Sequence, residues 1–106
     1  MFVVPATVIN SRVVDDVEVI ENHTVYLTCP ADGTPPPSVT WFRDDVPVTS
    51  QAGKLRVLSG GRQLEIRHVT VDDEAVYQCR AINVAGQQSK TFTVRVLGKY
   101  YITANI

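Results

Sequence analysis

Little in this chain is equipped for chemistry. It carries only two histidines and two cysteines in 106 residues. Hydrolysis of the Ser/His/Asp kind needs a positioned imidazole base. His23 falls on a predicted turn and His68 at the end of a predicted strand, with no acid and nucleophile placed beside either. Two cysteines are too few for a disulfide-dense miniprotein. No run approaches the ~18 consecutive apolar residues of a spanning helix. A formal net charge of −1 gives no bulk attraction to nucleic acid or to acidic membranes. We therefore expect no catalytic residue, no cofactor, no nucleic-acid partner and no membrane contact by this domain. Met1 to Pro5 is too short for a secretory apolar region, so Met1 reads as a start residue added to a fragment of a much larger parent.

Carboxylates come in three adjacent pairs, Asp15-Asp16, Asp44-Asp45 and Asp72-Asp73. A hard cation wants several converging oxygens. Neighbouring residues of a strand point to opposite sides, and no loop has a ligand-spaced acidic run. These read as solvated turn carboxylates, and no metal site is expected.

What the chain does have is apolar content, 44% of its residues, enough for one core at a length usual for one domain. The pattern is that of strands. Leu64, Glu65 and Ile66 alternate apolar and polar, and after a polar corner, Thr70 to Glu74, a second alternating run puts Tyr77 and Cys79 on one face. Upstream, Val25, Leu27 and Cys29 alternate with Tyr26 and Thr28, and Val39 and Trp41 with Thr40 and Phe42.

Cys29, Trp41, Leu64, Asp73, Ala75, Tyr77 and Cys79 stand at the spacing of the immunoglobulin superfamily. The finer pattern resembles its I-set type. Gly33-Thr34-Pro35-Pro36-Pro37-Ser38-Val39-Thr40-Trp41 is similar to that type's G-x-P-x-P-x-V-x-W, and Cys79 to Gly86 to its C-x-A-x-N-x-x-G. The resemblance runs from about Pro5 to Leu97. It implies an all-β, immunoglobulin-like, two-sheet antiparallel sandwich with Greek-key connections over residues 1–98. Residues 99–106 would be an extension: a linker, the start of a next domain or a tail of vector sequence. It implies a Cys29–Cys79 disulfide with Trp41 against it, Leu64 and Tyr77 in the core, and the Tyr77 hydroxyl tying down the corner. Closing that loop of about 50 residues would stabilise by roughly 4 kcal/mol in the chain-entropy view. It also implies an ion pair of Asp73 with a basic residue nearby, Arg56 or Lys54, of which we take Arg56.

Residue by residue, Pro5–Ile9 reads as a first edge strand that Val13–Ile20 continues after a break. Asn22, at a position usually held by glycine in similar domains, is suited to the turn before Val25. Pro30–Ser38, with three consecutive prolines, reads as a stiff connector rather than as a ligand for a proline-binding domain. Val46–Val48 is a short strand after a turn, Lys54–Leu58 another, and Ser59–Arg62 a glycine turn. The last two strands are Ala75–Asn83 and Lys90–Leu97, joined by a hairpin in which Gly86 supplies a positive φ.

Two features bear on function. Asn22-His23-Thr24 is an N-x-[ST] sequon on a predicted surface turn and favours an extracellular, glycosylated setting. A reduced cysteine pair in an intracellular domain is the competing reading. On the outward side of the sheet carrying Trp41, Tyr77 and Phe92, parity places Phe42, Arg80, Ile82 and Arg95, the mix of residues enriched in protein interfaces. Arg80 and Arg95 with Arg43 could also draw a glycosaminoglycan. The chain is thus expected to be a non-catalytic extracellular protein-binding and adhesion module. It looks like the tandem arrays of hemicentin-type matrix proteins and neural adhesion receptors, with protein partners, homophilic or heterophilic, and neighbouring immunoglobulin domains. The alternatives are an intracellular structural module of a titin-like muscle protein, or a ligand-binding unit in the ectodomain of a receptor kinase or phosphatase.

Overall fold

The computed structural model describes residues 2–98, and the expected extension at 99–106 lies outside the described residues. Within them the chain forms β1 (Val4–Val8), β2 (Asp15–Ile20), β3 (Val25–Thr28), β4 (Ala31–Thr34) and β5 (Ser38–Arg43), then β6 (Val46–Pro47), β7 (Leu55–Leu58), β8 (Gln63–Ile66), β9 (Ala75–Asn83) and β10 (Gly86–Leu97). Short 3-10 turns lie at Ser59–Gly61 and Val71–Asp73. One layer is a sheet in the order β2-β10-β9-β5-β6. The other is made of two separately hydrogen-bonded sheets, β3-β8-β7 and β1-β4, linked by the chain where β3 passes through Cys29 and Pro30 into β4.

Alternation fixes which faces meet. Val25 and Leu27 of β3 point in while Tyr26 and Thr28 point out, and Tyr77, Cys79 and Ala81 of β9 face them from the other layer. The Cys29–Cys79 disulfide joins the layers, with Cα atoms 6.2 Å apart. Trp41 lies directly across the β5–β9 ladder from Cys79. Its indole Nε1 donates to the Gly61 carbonyl at 2.7 Å, and its ring meets Phe92 at 5.6 Å between centroids. That bond needs Gly61, which has φ 94° and whose place for a Cβ is only 2.8 Å from the Val39 carbonyl oxygen.

Four expectations change. Residues 15–20 do not continue the first strand in its own sheet. β2 crosses to the other layer and pairs in parallel with β10, Phe92 to Leu97. The crossing is held by Lys90, which shares the inward face of Phe92 and Val94 and is only 5% exposed. Its ammonium donates to the carbonyls of Asn10 (3.2 Å) and Val13 (3.0 Å) and to Asp15 Oδ1 (3.1 Å). Three donors meet three acceptors, which is what a buried charge requires. Second, the connector 30–38 is not all loop, because Ala31–Thr34 pairs antiparallel with β1. Third, β10 begins at Gly86 rather than Lys90, and the φ of Gly86 is not positive. The hairpin is closed by Asn83 Oδ1, which accepts the Ala85 and Gly86 N–H groups at 3.0 and 3.1 Å. A Cβ there would come within 3.1 Å of Pro5 Cβ, a tight approach that only a small shift of the proline would relieve. Fourth, β8 is buried on both sides, Glu65 included.

The hairpin β9–β10 also closes the free edge of β1. Asn83 Oδ1 accepts the Ala6 N–H (3.1 Å), and Gln88 Oε1 the Val8 N–H (2.8 Å). Lys90→Met should therefore cost about 1–3 kcal/mol and speed hydrogen exchange at Ile9, Ser11 and Val13 more than in β9. Unchanged stability and exchange would contradict this role of the ammonium.

Candidate functional site

On the outer face of the five-stranded sheet, register sets side chains in rows across β5, β9 and β10. Ser38, Ile82 and Gln87 form one row, Thr40, Arg80 and Ser89 the next, and Phe42, Gln78 and Thr91 the third. Arg80 and Phe42 are diagonal neighbours, within reach for long side chains on a pleated sheet. The guanidinium carbon lies 3.7 Å from the Phe42 ring centroid. Arg80 Nε donates to Gln78 Oε1 (2.6 Å), and Nη2 to Asp45 Oδ1 (3.0 Å). Gln78 in turn reaches Ser89 and Thr91 at 3.4 Å. Beside this stack is an open depression of about 500 Å³, walled by Thr40, Ile82, Gln87 and Ser89.

Phe42, Arg80 and Ile82 are thus brought together, and Arg95 is not. It stands six residues along β10 from Ser89, roughly 20 Å at strand rise, and pairs with Glu18 of β2 at 3.6 Å. Arg43 turns to the other side of its strand, donating to the Asp72 carbonyl and lying over the Tyr77 ring. The three arginines do not make one basic patch.

At the corner before β9, the ion-pair expectation needs correction. Asp73 pairs with Lys54, at 2.6 Å, and not with Arg56. Asp73 Oδ2 also accepts the Thr70 N–H at 2.8 Å, so its carboxylate caps the 3-10 turn while Lys54 covers it. Arg56 lies opposite Glu65 in the β7–β8 ladder and donates to it at 2.8 Å. That hydrogen bond holds the Glu65 carboxyl below the ordinary carboxylate range. The Tyr77 hydroxyl donates to the Asp73 carbonyl at 2.7 Å.

The Immunoglobulin I-set domain family model matches residues 8–96. This chain belongs to the immunoglobulin I-set family. It is 42% identical to human hemicentin-1 over 93 residues, 88% of this chain and 2% of that protein. The chain therefore spans about 2% of the length of that curated relative. Among solved structures it is similar to the extracellular domains 3–5 of Drosophila OTK, with TM-score 0.78, 32% identity, and coverage of 90% of this chain and 32% of that one. It also superimposes on titin domain M7, with TM-score 0.77, covering 92% of this chain and 98% of that one. At 23% identity the titin likeness is one of fold.

In this I-set domain Asn22 sits at φ 72° on an exposed turn. Its backbone N–H is held by the Val69 carbonyl at 2.8 Å. Among the described residues, no group of three or more His, Cys, Asp or Glu is placed to hold a metal ion. The acidic pairs mostly serve neighbours: Asp15 takes Lys90, Asp44 the Val76 N–H, Asp45 Arg80 and Asp73 Lys54. Parity places Gln78 on the outer face beside Arg80, whereas the roles of Asp45, Glu65 and Lys90 depend on cross-strand register and escape a reading of the sequence. Inward parity with Phe92 and Val94 is the one available signal, for Lys90.

Burial pushes the Tyr77 phenol up to about 12. The unfolded chain releases that proton near 10 and the folded one does not, so the folded state binds more protons between the two values. Stability should fall with rising pH from about 10 to 12, by at most ~1.4 kcal/mol per pH unit from this group. Tyr77→Phe should flatten that decline and, at neutral pH, cost about 0.5–1.5 kcal/mol for the lost bond. Denaturant melts at several pH values check both. An equally steep decline in the variant would assign it to other groups.

Proposed function

We propose that this I-set domain is a non-catalytic protein-binding and adhesion module, one unit of a multi-immunoglobulin matrix or cell-surface protein. Its β5–β9–β10 face docks a protein partner, and its ends pack on neighbouring immunoglobulin domains. The observation that carries the docking role is the pre-built Arg80–Phe42 stack beside half-exposed Ile82. Arginine and aromatic side chains dominate interface energetics, and one already held in place loses little freedom on binding. The extracellular setting is supported by the disulfide, which persists in oxidising compartments. The exposed Asn22 sequon, which we read as glycosylated, and the similarity to hemicentin-1 point the same way.

Two measurements test this. Intact mass of protein secreted from animal cells should rise by two protons on reduction and fall on enzymatic deglycosylation. A mass insensitive to both would favour an intracellular structural module. Phe42→Ala and Arg80→Ala should each weaken partner binding about tenfold or more while leaving the melting curve nearly unchanged. Undiminished binding, or collapse of the fold, would remove the face from consideration.

A further inference from the structure

Building on the docking reading above, we infer that the depression beside Arg80 takes an uncharged aromatic side chain of a partner protein rather than an anionic group. The first ground is how the guanidinium is already committed. An arginine grips a carboxylate or sulfate through two parallel N–H groups along one edge. In Arg80 the Nε–Nη2 edge is occupied, Nε by Gln78 and Nη2 by Asp45. Arg80 keeps its Nη1 N–H groups and a flat π surface, one side of which rests on Phe42, but not the side-on edge.

Charge is the second ground. Arg80 is the sole cation among the residues that wall the depression. The turn beside it carries two carboxylates, Asp44 and Asp45, while Arg43 and Arg95 are engaged elsewhere. An incoming polyanion would meet one cation and two like charges. An aromatic ring meets no such repulsion and gains a cation–π contact on the uncovered surface of the guanidinium. The third ground is the rim: Ile82 supplies an apolar wall, and Thr40, Gln87 and Ser89 supply neutral hydrogen-bonding groups. Polar and apolar groups share the lining about equally, a mix that suits an amphipathic ring with one polar tip.

The test is an amide-resolved NMR titration of the ¹⁵N-labelled domain with p-cresol, the tyrosine side chain in isolation. A sulfated heparin disaccharide and a dilution series without ligand run in parallel. We expect p-cresol to shift the amides of Arg80, Ile82 and Ser89 and the Arg80 Nε–H saturably. Arg80→Lys, which keeps the charge but not the plane, should weaken that binding about three- to fivefold. Phe42→Leu serves as a second variant, removing the π floor while keeping an apolar one. Scattered or absent p-cresol shifts would overturn the inference, as would heparin disaccharide shifting these signals in its place. If dilution alone moves them and p-cresol does not, a second copy of the chain is the occupant: the docking role then stands and the aromatic preference falls. If neither dilution nor any probe touches the face, both fall.

Discussion

Two β layers joined by a sulfur bridge beside a buried indole are the constraint from which the rest follows. Cys29 directly follows β3 and Cys79 lies mid-way along β9, so the bond fixes the spacing of the layers at their centre. Trp41 fills the space next to it and must satisfy its one polar atom, which reaches the Gly61 carbonyl. That bond ties the turn between β7 and β8 to β5 in the opposite layer. Gly61 is obligatory because the same approach leaves no room for a Cβ. One covalent bond, one ring and one glycine thus set the sheet separation and the rotation of β5 about its axis. Since Trp41 points in, Phe42 points out.

The hairpin β9–β10 converts that frame into both an N-terminal clamp and a recognition surface. Inward and edge-facing residues of the hairpin, Asn83, Gln88 and Lys90, hold β1 and its crossing to β2. Outward residues of the same two strands, Gln78, Arg80, Ile82 and Ser89, make the face beside Phe42. Because the ladder is continuous over nine residue pairs, neither set can shift without the other. The backbone under the surface is therefore fixed by the same ladder as the core, which limits the ordering cost of docking to the side chains.

Much of this is legible in the residues. Alternation around Leu27, Trp41, Tyr77 and Phe92 gives the inward faces directly, because a strand's side chains repeat every two residues. The grouping of Phe42, Arg80 and Ile82 follows from the same parity once three strands are taken as neighbours. What parity cannot supply is register and hand-over between sheets. The resemblance leaves Arg56 and Lys54 both open to Asp73, and the expected partner is the wrong one of the two. The β7–β8 ladder sets Arg56 opposite Glu65 and leaves Lys54 at the strand's end to reach the corner. Parity likewise groups Arg95 with Arg80, yet it says nothing of distance along a strand. The crossing that brings β2 to β10 is held by a buried ammonium, and parity with Phe92 and Val94 hints that Lys90 turns inward without saying which carbonyls it meets. Gly86 reads as a residue chosen for its backbone angle, yet its φ is not positive and its close neighbour is the Pro5 ring.

The most direct test of the central constraint is equilibrium unfolding in guanidinium chloride, oxidised against reduced, followed by Trp41 fluorescence. Closing about 50 residues into a loop predicts that reduction lowers stability by roughly 4 kcal/mol, with one cooperative transition in each case. A reduced protein that unfolds at the same denaturant concentration would contradict the account, because the two layers would then hold their spacing without the bridge.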